Sequence, residues 1–237
     1  LYGEPVRVLK VEDGWANVEA IEQVEFTHAR RWQGYPGWMP AAQLAPRNQL
    51  LAPTIVVTEP WAMTLMDAFT PRPSPWRFPM GTRLRAVEMG GQLWKVELLD
   101  GTTVWMPQRS ARSLEAAQAM PPLEKRKAIL ASAQLLVGDP YVWGGRSPQR
   151  PEASDQVTGV DCSGLVNLAY RTVGVDIPRD AHEQFLRAKP VNALQPGDLL
   201  FLSEHGNPQR IVHVMLYAGA GELIEGPGTG MPPGNVH

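Results

Sequence analysis

The sequence predicts a multidomain protein in which two small β units stand in tandem ahead of an α+β unit. Three features carry that reading: an internal repeat in the first half, a Pro-rich stretch between its two copies, and an abrupt change of texture after Pro121. The corresponding boundaries are residues 1–50, 51–120 and 121–237.

The repeat aligns GEPVRVLKVEDGWANV (Gly3–Val18) with GTRLRAVEMGGQLWKV (Gly81–Val96) without gaps. Each copy reads as two short strands about a Gly-bearing turn: Val6 and Val8 then Trp15 and Val18 in the first, Leu84 and Ala86 then Leu93 and Val96 in the second. Both close on the same tripeptide, Trp38-Met39-Pro40 and Trp105-Met106-Pro107. From opening Gly to closing Trp the first copy runs 35 positions and the second 24, so the first carries 11 extra residues. Trp15, Trp38, Trp94 and Trp105 are expected as core plugs. The extra residues lie in FTHARRWQGYPGW and put Phe26, His28, Arg30, Arg31, Trp32 and Tyr35 in a loop, where function collects. The stretch TPRPSPWRFP, with Pro71, Pro73, Pro75 and Pro79, is expected to be an extended, semi-rigid spacer.

Beyond Pro121 and Pro122, Leu123, Ile129, Leu130, Ala133, Leu136 and Val137 recur at helical spacing, predicting a helix that stops at Gly138. A second helix is expected from Cys162. Strand-like segments follow at DLLFL, IVHVMLY and ELIEG, so residues 122–237 read as an α+β unit.

With 237 residues, 43% of them hydrophobic and 19% charged, the chain has ample material for buried cores. A net charge of -2 and the lack of a Lys/Arg run give no footprint for nucleic acid or an anionic membrane. No apolar run is long enough to span a bilayer. The chain opens at Leu1 rather than Met, so the lack of a signal peptide does not argue for the cytoplasm, and the compartment stays open. The single cysteine, Cys162, excludes a disulfide framework and a Cys-rich zinc site, leaving an inert buried thiol, a nucleophile or a redox thiol.

Position bears on that choice. Asp161 is placed to cap the helix from Cys162, whose buried stripe is Leu165, Val166, Ala169 and Val173. A thiol at a helix N-terminus meets the positive end of the macrodipole, which is expected to lower its pKa. The same position also suits a small core residue. A base is available in IVHVMLYAG, where His213 is a polar residue on a strand apolar on both faces; the alternative is a satisfied core histidine. A hairpin centred on Gly219 pairs His213 with Glu225 and lets the carboxylate hold one ring nitrogen while the other faces the thiol. A two-residue loop at Gly219-Ala220 would instead turn Glu225 to the opposite face.

Taken in order, YVWGG (Tyr141–Gly145), DCSGLV (Asp161–Val166), IPRDAHEQ (Ile177–Gln184), PGDLLF (Pro196–Phe201) and HVMLYAGAGELIEG (His213–Gly226) resemble the NlpC/P60 cysteine peptidases over the whole last domain. The two repeats resemble bacterial SH3 domains. The resemblance implies two SH3-like β-barrels and an α+β papain-like catalytic domain, with Cys162 as nucleophile, His213 as base and Tyr141 at the oxyanion region. The usual third residue is His; here Glu225 stands in its place, which favours a thiolate–imidazolium pair.

SH3 modules joined to this domain resemble γ-D-glutamyl-L-diamino acid endopeptidases, which act on murein peptides bearing a free N-terminal L-Ala. That resemblance gives Tyr35 amine recognition with Glu4 as a matching charge, Asp180 the ammonium, and Ser163 the D-Glu α-carboxylate, with Asp161 beside them. Arg179 suits a structural ion pair instead. It implies a monomer acting on murein peptides or peptidoglycan, with a secreted, periplasmic or envelope location favoured over the cytoplasm. No metal or other cofactor is called for, since Cys162, His205, His213 and Glu225 have no familiar zinc spacing. The rival readings are a hydrolase of intact peptidoglycan with the β units as tethers, and a non-catalytic wall-binding protein.

Overall fold

The computed structural model describes residues 1–46, 52–70, 72–150, 158–227 and 235–237. The boundary expected at residue 50 and Pro71 lie outside the described residues.

The first repeat forms three antiparallel strands, β1 (Val6–Glu12), β2 (Trp15–Glu25) and β3 (Gln33–Pro40), in the order β1-β2-β3. Asp13 and Gly14 turn β1 into β2 with φ of 48° and 80°, the conformation that an Asp-Gly two-residue hairpin favours. The second repeat supplies the matching β7 (Arg83–Gly90), β8 (Leu93–Glu97) and β9 (Thr103–Pro107). Around them β4 (Ile55–Val57), β5 (Trp61–Leu65), β6 (Pro73–Pro79) and β10 (Ala111–Ser113) complete a seven-stranded sheet in the order β10-β4-β7-β8-β9-β5-β6. Ile55, Val57, Phe78, Leu84, Val96 and Met106 form its core.

Neither sheet closes on itself in strand order, so the repeats appear as open sheets. Trp15 and Trp38 are 50% and 49% exposed rather than buried plugs, and the Lys10 ammonium lies 5.1 Å from the centroid of the Trp38 ring. Trp94 packs against the core of the second sheet as expected. The Pro-rich stretch is also more than a spacer: Pro73–Pro79 is strand β6, paired to β5 at the sheet's edge. An edge tolerates proline because one side of the strand needs no donors.

Helix α1 (Leu114–Ala119), capped by the Ser113 side chain, follows β10 before the boundary expected at residue 121, and α2 (Pro122–Gln134), with proline in its first turn, comes directly after it. α2 stops short of the expected end, and Gly138, at φ +98°, follows three residues after the cap. The remainder contains α3 (Cys162–Arg171), α4 (Ala181–Arg187) and a sheet of β11 (Leu199–Ser203), β12 (Ile211–Gly219) and β13 (Glu222–Ile224), with β12 central. α4 was not foreseen as a helix. Both α3 and α4 pack on β12.

α3 is buried on nearly every face, beyond the stripe its sequence suggests. The second unit covers the far side: Arg171 Nε donates to Gly81 O at 2.7 Å, and Met80 joins the core of Leu165, Leu168, Leu216 and Ile224. Gly81 sits at φ +82°, and a Cβ there would lie 2.8 Å from the Leu168 side chain. Among the described residues no helix is long and apolar enough to cross a membrane.

Candidate active site

Asp161 caps α3 as expected, its Oδ1 accepting from Gly164 N at 2.6 Å. It also accepts from Gly144 N at 3.0 Å and from both terminal nitrogens of Arg179, at 3.0 and 2.8 Å. Arg179 is thus the buried partner of Asp161. Backbone packing fixes this corner, since a Cβ on Gly164 would lie 2.2 Å from Gly145 O and one on Gly145 would lie 2.4 Å from Gly159 O. Ser163 Oγ lies 3.1 Å from Asp161 Oδ1 and 3.0 Å from the Arg179 guanidinium.

Cys162 heads the helix, buried between Val166, Ala181 and Val214. Its thiol pKa is raised, against the sequence expectation. Burial is the leading cause and the Asp161 carboxylate adds to it, while hydrogen bonds from the N–H groups of Val214 and Ser163 work the other way. The depth of the thiol and the anion that caps its helix outweigh the macrodipole. The Val214 contact puts the sulfur against β12, at the residue that follows His213.

His213 is buried and its Nε2 is paired with Glu225 Oε2, while its buried Nδ1 has no hydrogen-bond partner among the described residues. The pairing comes about by a different register from the one expected. Ala220 and Gly221, at φ 52° and 84°, form a two-residue loop closed by Gly219 and Glu222. That loop alone would put Glu225 on the wrong face. A bulge between Tyr217 and Gly219 adds one residue to β12, after which Tyr217 faces Leu223 and Leu216 faces Ile224. The two displacements together restore the face, and Glu225 reaches His213 diagonally rather than from directly opposite.

A cleft of about 600 Å³ runs past Cys162, lined by Tyr141, Trp143, Asp161, Ser163 and Arg179, with Ile211 and Val212 from β12. The β2–β3 side of the first repeat closes it, contributing Gln23, Thr27, His28 and Tyr35 opposite Asp180, His182 and Glu183 of the α4 region. Tyr35 donates to Asp180 Oδ2 at 3.0 Å. Thr27 donates from both N–H and hydroxyl to Glu183 Oε1, and Arg179 N donates to Val24 O at 3.1 Å. Arg187 stacks on the Trp32 ring at 3.9 Å. The 11-residue insertion is therefore a wall of the cleft.

Burial, followed by the Asp180 charge, pushes the Tyr35 hydroxyl up to about 12. Burial, then Cys162 and Asp161, does the same to Tyr141, also to about 12. Both phenols stay protonated donors at neutral pH. Asp180 is itself raised, mainly by burial.

Glu4 is not in this cleft. Its carboxylate is buried against Arg146, with Arg171 at 3.4 Å and the Leu1 amino group at 3.0 Å. Burial would raise it, but these cations overcome burial and hold it at about 2. A buried cation on Arg146 claims the charge that sequence alignment offered to a substrate. Glu4 instead borders another cavity, of about 280 Å³, where Arg83, Arg171, Glu22 and Glu97 are paired with one another or with near neighbours. His182 and Trp143 lay inside the quoted motifs IPRDAHEQ and YVWGG without being singled out, and His28 was singled out in the insertion without its partner Glu25. Among the described residues no group of three or more His, Cys, Asp or Glu could hold a metal.

Residues 138–232 match the NlpC/P60 family profile. The last unit is an NlpC/P60 family domain. The likeness extends further: 96% of the chain aligns at 29% identity with a gamma-D-glutamyl-L-lysine dipeptidyl-peptidase of Bacillus cereus, and spans about 66% of that protein. A protein of the same name from Bacillus subtilis is 29% identical over 97% of the chain and 72% of its own length. The crystal structure of an NlpC/P60 family protein from Bacillus cereus superposes with a TM-score of 0.77 at 26% identity, over 98% of this chain and 72% of that one. The similarity thus includes both repeats as well as the NlpC/P60 domain.

Proposed function

We propose that this chain is a cysteine endopeptidase that hydrolyses the γ-D-glutamyl to L-diamino acid bond of murein peptides carrying a free N-terminal L-Ala. The observation that carries the reading is one continuous cleft joining Cys162 to the Tyr35–Asp180 pair on the first repeat's wall. The name shared by the two Bacillus relatives supports it, because a dipeptidyl-peptidase releases two residues from an amino terminus. On this reading the repeats are SH3-like modules that shape the cleft, with domains at 1–50, 51–120 and 121–237.

The chemistry follows from the placement of each group. His213 Nδ1 takes the Cys162 proton while Glu225 on Nε2 stabilises the imidazolium that results. The thiolate attacks the γ-carbonyl carbon, and the Tyr141 hydroxyl and the Cys162 N–H receive the developing oxyanion. The tetrahedral adduct collapses, His213 returns the proton to the departing amine of L-Lys or meso-diaminopimelate, and the D-Glu γ-carbonyl stays on sulfur as a thioester. Water deprotonated by His213 then hydrolyses the thioester. At the other end, Tyr35 donates to Asp180 and keeps its lone pairs for the substrate ammonium, whose charge Asp180 balances. Ser163, beside the Arg179 cation, meets the D-Glu α-carboxylate.

The test is to offer the chain free L-Ala-γ-D-Glu-diamino acid tripeptide and, separately, cross-linked sacculi. Release of the diamino acid from the tripeptide, abolished by Cys162→Ala, is expected. Activity on sacculi alone would make the first repeat a tether rather than a wall and would overturn the reading.

A further inference from the structure

Glu225 leaves the β12–β13 hairpin after Ile224 and pairs with a different piece of chain. Its N–H donates to His237 O at 2.8 Å, and His237 N donates back to Glu225 O at 3.1 Å. On its other edge the same piece is held by Val236 N to Asp139 O and Gly138 N to Val236 O, both 2.9 Å, and by a bridge from Asn235 to Pro140. Val236 is 1% exposed, within the core shared by α2 and α3. Residues 235–237 therefore lie clamped between Glu225 and the segment leading into Tyr141.

The clamp brings a second imidazole to the Glu225 carboxylate. Oε2 holds His213 Nε2, while Oε1 lies 3.6 Å from His237 Nε2. The other His237 nitrogen, Nδ1, sits 3.2 Å from Asn235 O, so in the neutral ring its single proton serves that carbonyl and the lone pair of Nε2 faces the carboxylate. Protonation puts a donor on Nε2 and a positive charge beside Glu225. The titratable groups around His237 are Glu225 itself, His213 across it on β12, and Asp139 on the flanking segment, whose carboxylate is engaged with Gln149 N at 2.9 Å.

We propose that His237 is a positioning residue that shares the Glu225 carboxylate with His213, so that its protonation sets how strongly Glu225 supports the His213 imidazolium. The inference rests on the catalytic reading of Cys162, His213 and Glu225. Its sign is fixed by charge. A cation at His237 favours loss of the Cys162 proton on the acid side and disfavours the His213 imidazolium, so removing it raises only ionisations that occur while His237 is protonated.

The experiment is the pH dependence of Cys162 alkylation by iodoacetamide in the intact chain, which needs no substrate. The native chain is expected to show two rising limbs, an acid limb where the thiolate–imidazolium pair forms and a basic limb where the imidazolium loses its proton and leaves a free thiolate. His237→Gln should move the acid limb up by about half a pH unit and leave the basic limb in place. His237→Lys, cationic throughout, should keep the acid limb and move the basic limb down by a similar amount. A purely structural role would slow both variants without moving the limbs according to charge, and melting curves check that both fold. Two-limbed profiles unmoved in both variants, or moved in the same direction, overturn the inference alone. A native profile like that of a free peptide thiol overturns the catalytic reading and this inference with it.

Discussion

At the scale of single residues, the Cys162 thiol and the His213 ring divide the work unevenly. Burial and the capping Asp161 both hold the proton on Cys162, so on the proposed mechanism the thiol depends on His213 to remove it. His213→Ala should slow alkylation of Cys162 at pH 7 by about tenfold or more, whereas equal rates would show that the thiol ionises unaided. Glu225→Gln should lower kcat by roughly a hundredfold with KM nearly unchanged, because the carboxylate acts on an imidazolium formed on the way to the transition state. Cys162 and His213 were legible in the sequence as a helix start and a polar residue on an apolar strand, whereas Glu225 was paired with His213 through a hairpin register that the chain does not adopt. Glu4 was not legible. Its role is decided by Arg146, which lies 142 residues away in sequence, and no local pattern announces such a partner. His237 escaped for the same reason, since only the folded chain brings residues 235–237 beside Glu225.

The elements show where sequence periodicity suffices and where it does not. Strands of the two repeats fall where alternation and the shared WMP tripeptide put them, and α3 starts at Cys162 as its cap predicts. The β12–β13 register depended on a bulge, which leaves no sequence mark, yet it decides the face on which Glu225 stands. α4 is short, and besides packing on β12 it is held by contacts from the insertion in the first repeat. Those contacts are testable: Trp32→Ala removes the Arg187 stack, an interaction worth about 1 kcal/mol, and should raise KM several-fold while the rate of Cys162 alkylation stays as in the native chain. An unchanged KM would detach the wall from substrate binding. Gly164→Ala should be far more damaging, costing about 3 kcal/mol or more, because the new Cβ collides with the Gly145 carbonyl rather than with a yielding side chain. Thermal melting measures the difference between the two variants.

The whole molecule is tied together by charge as much as by apolar packing. Glu4 and Glu22 from the first repeat, Arg83 from the second and Arg146 and Arg171 from the NlpC/P60 domain form one network around the junction. A buried pair that loses one member leaves an unpaired charge, so Glu4→Gln should cost about 3 kcal/mol at neutral pH. The Glu4 pKa is depressed from 4.5 to about 2, so its contribution is fully present above 4.5 and is lost as pH falls towards 2. The stability gap between the native chain and Glu4→Gln should therefore shrink over that window in melting curves, and a constant gap would place the network elsewhere. Contacts from the first repeat to the α4 region make Tyr35 and Asp180 neighbours in the cleft wall, and on the proposed reading that pair is what selects a peptide with a free amino terminus. The most direct measurement is the ratio of kcat/KM for L-Ala-γ-D-Glu-L-Lys and for the same tripeptide acetylated on its amino group. A preference for the free amine of about a hundredfold or more, collapsing in Asp180→Asn, is the predicted result. Equal rates for the two peptides, or cleavage of the acetylated one alone, would contradict it.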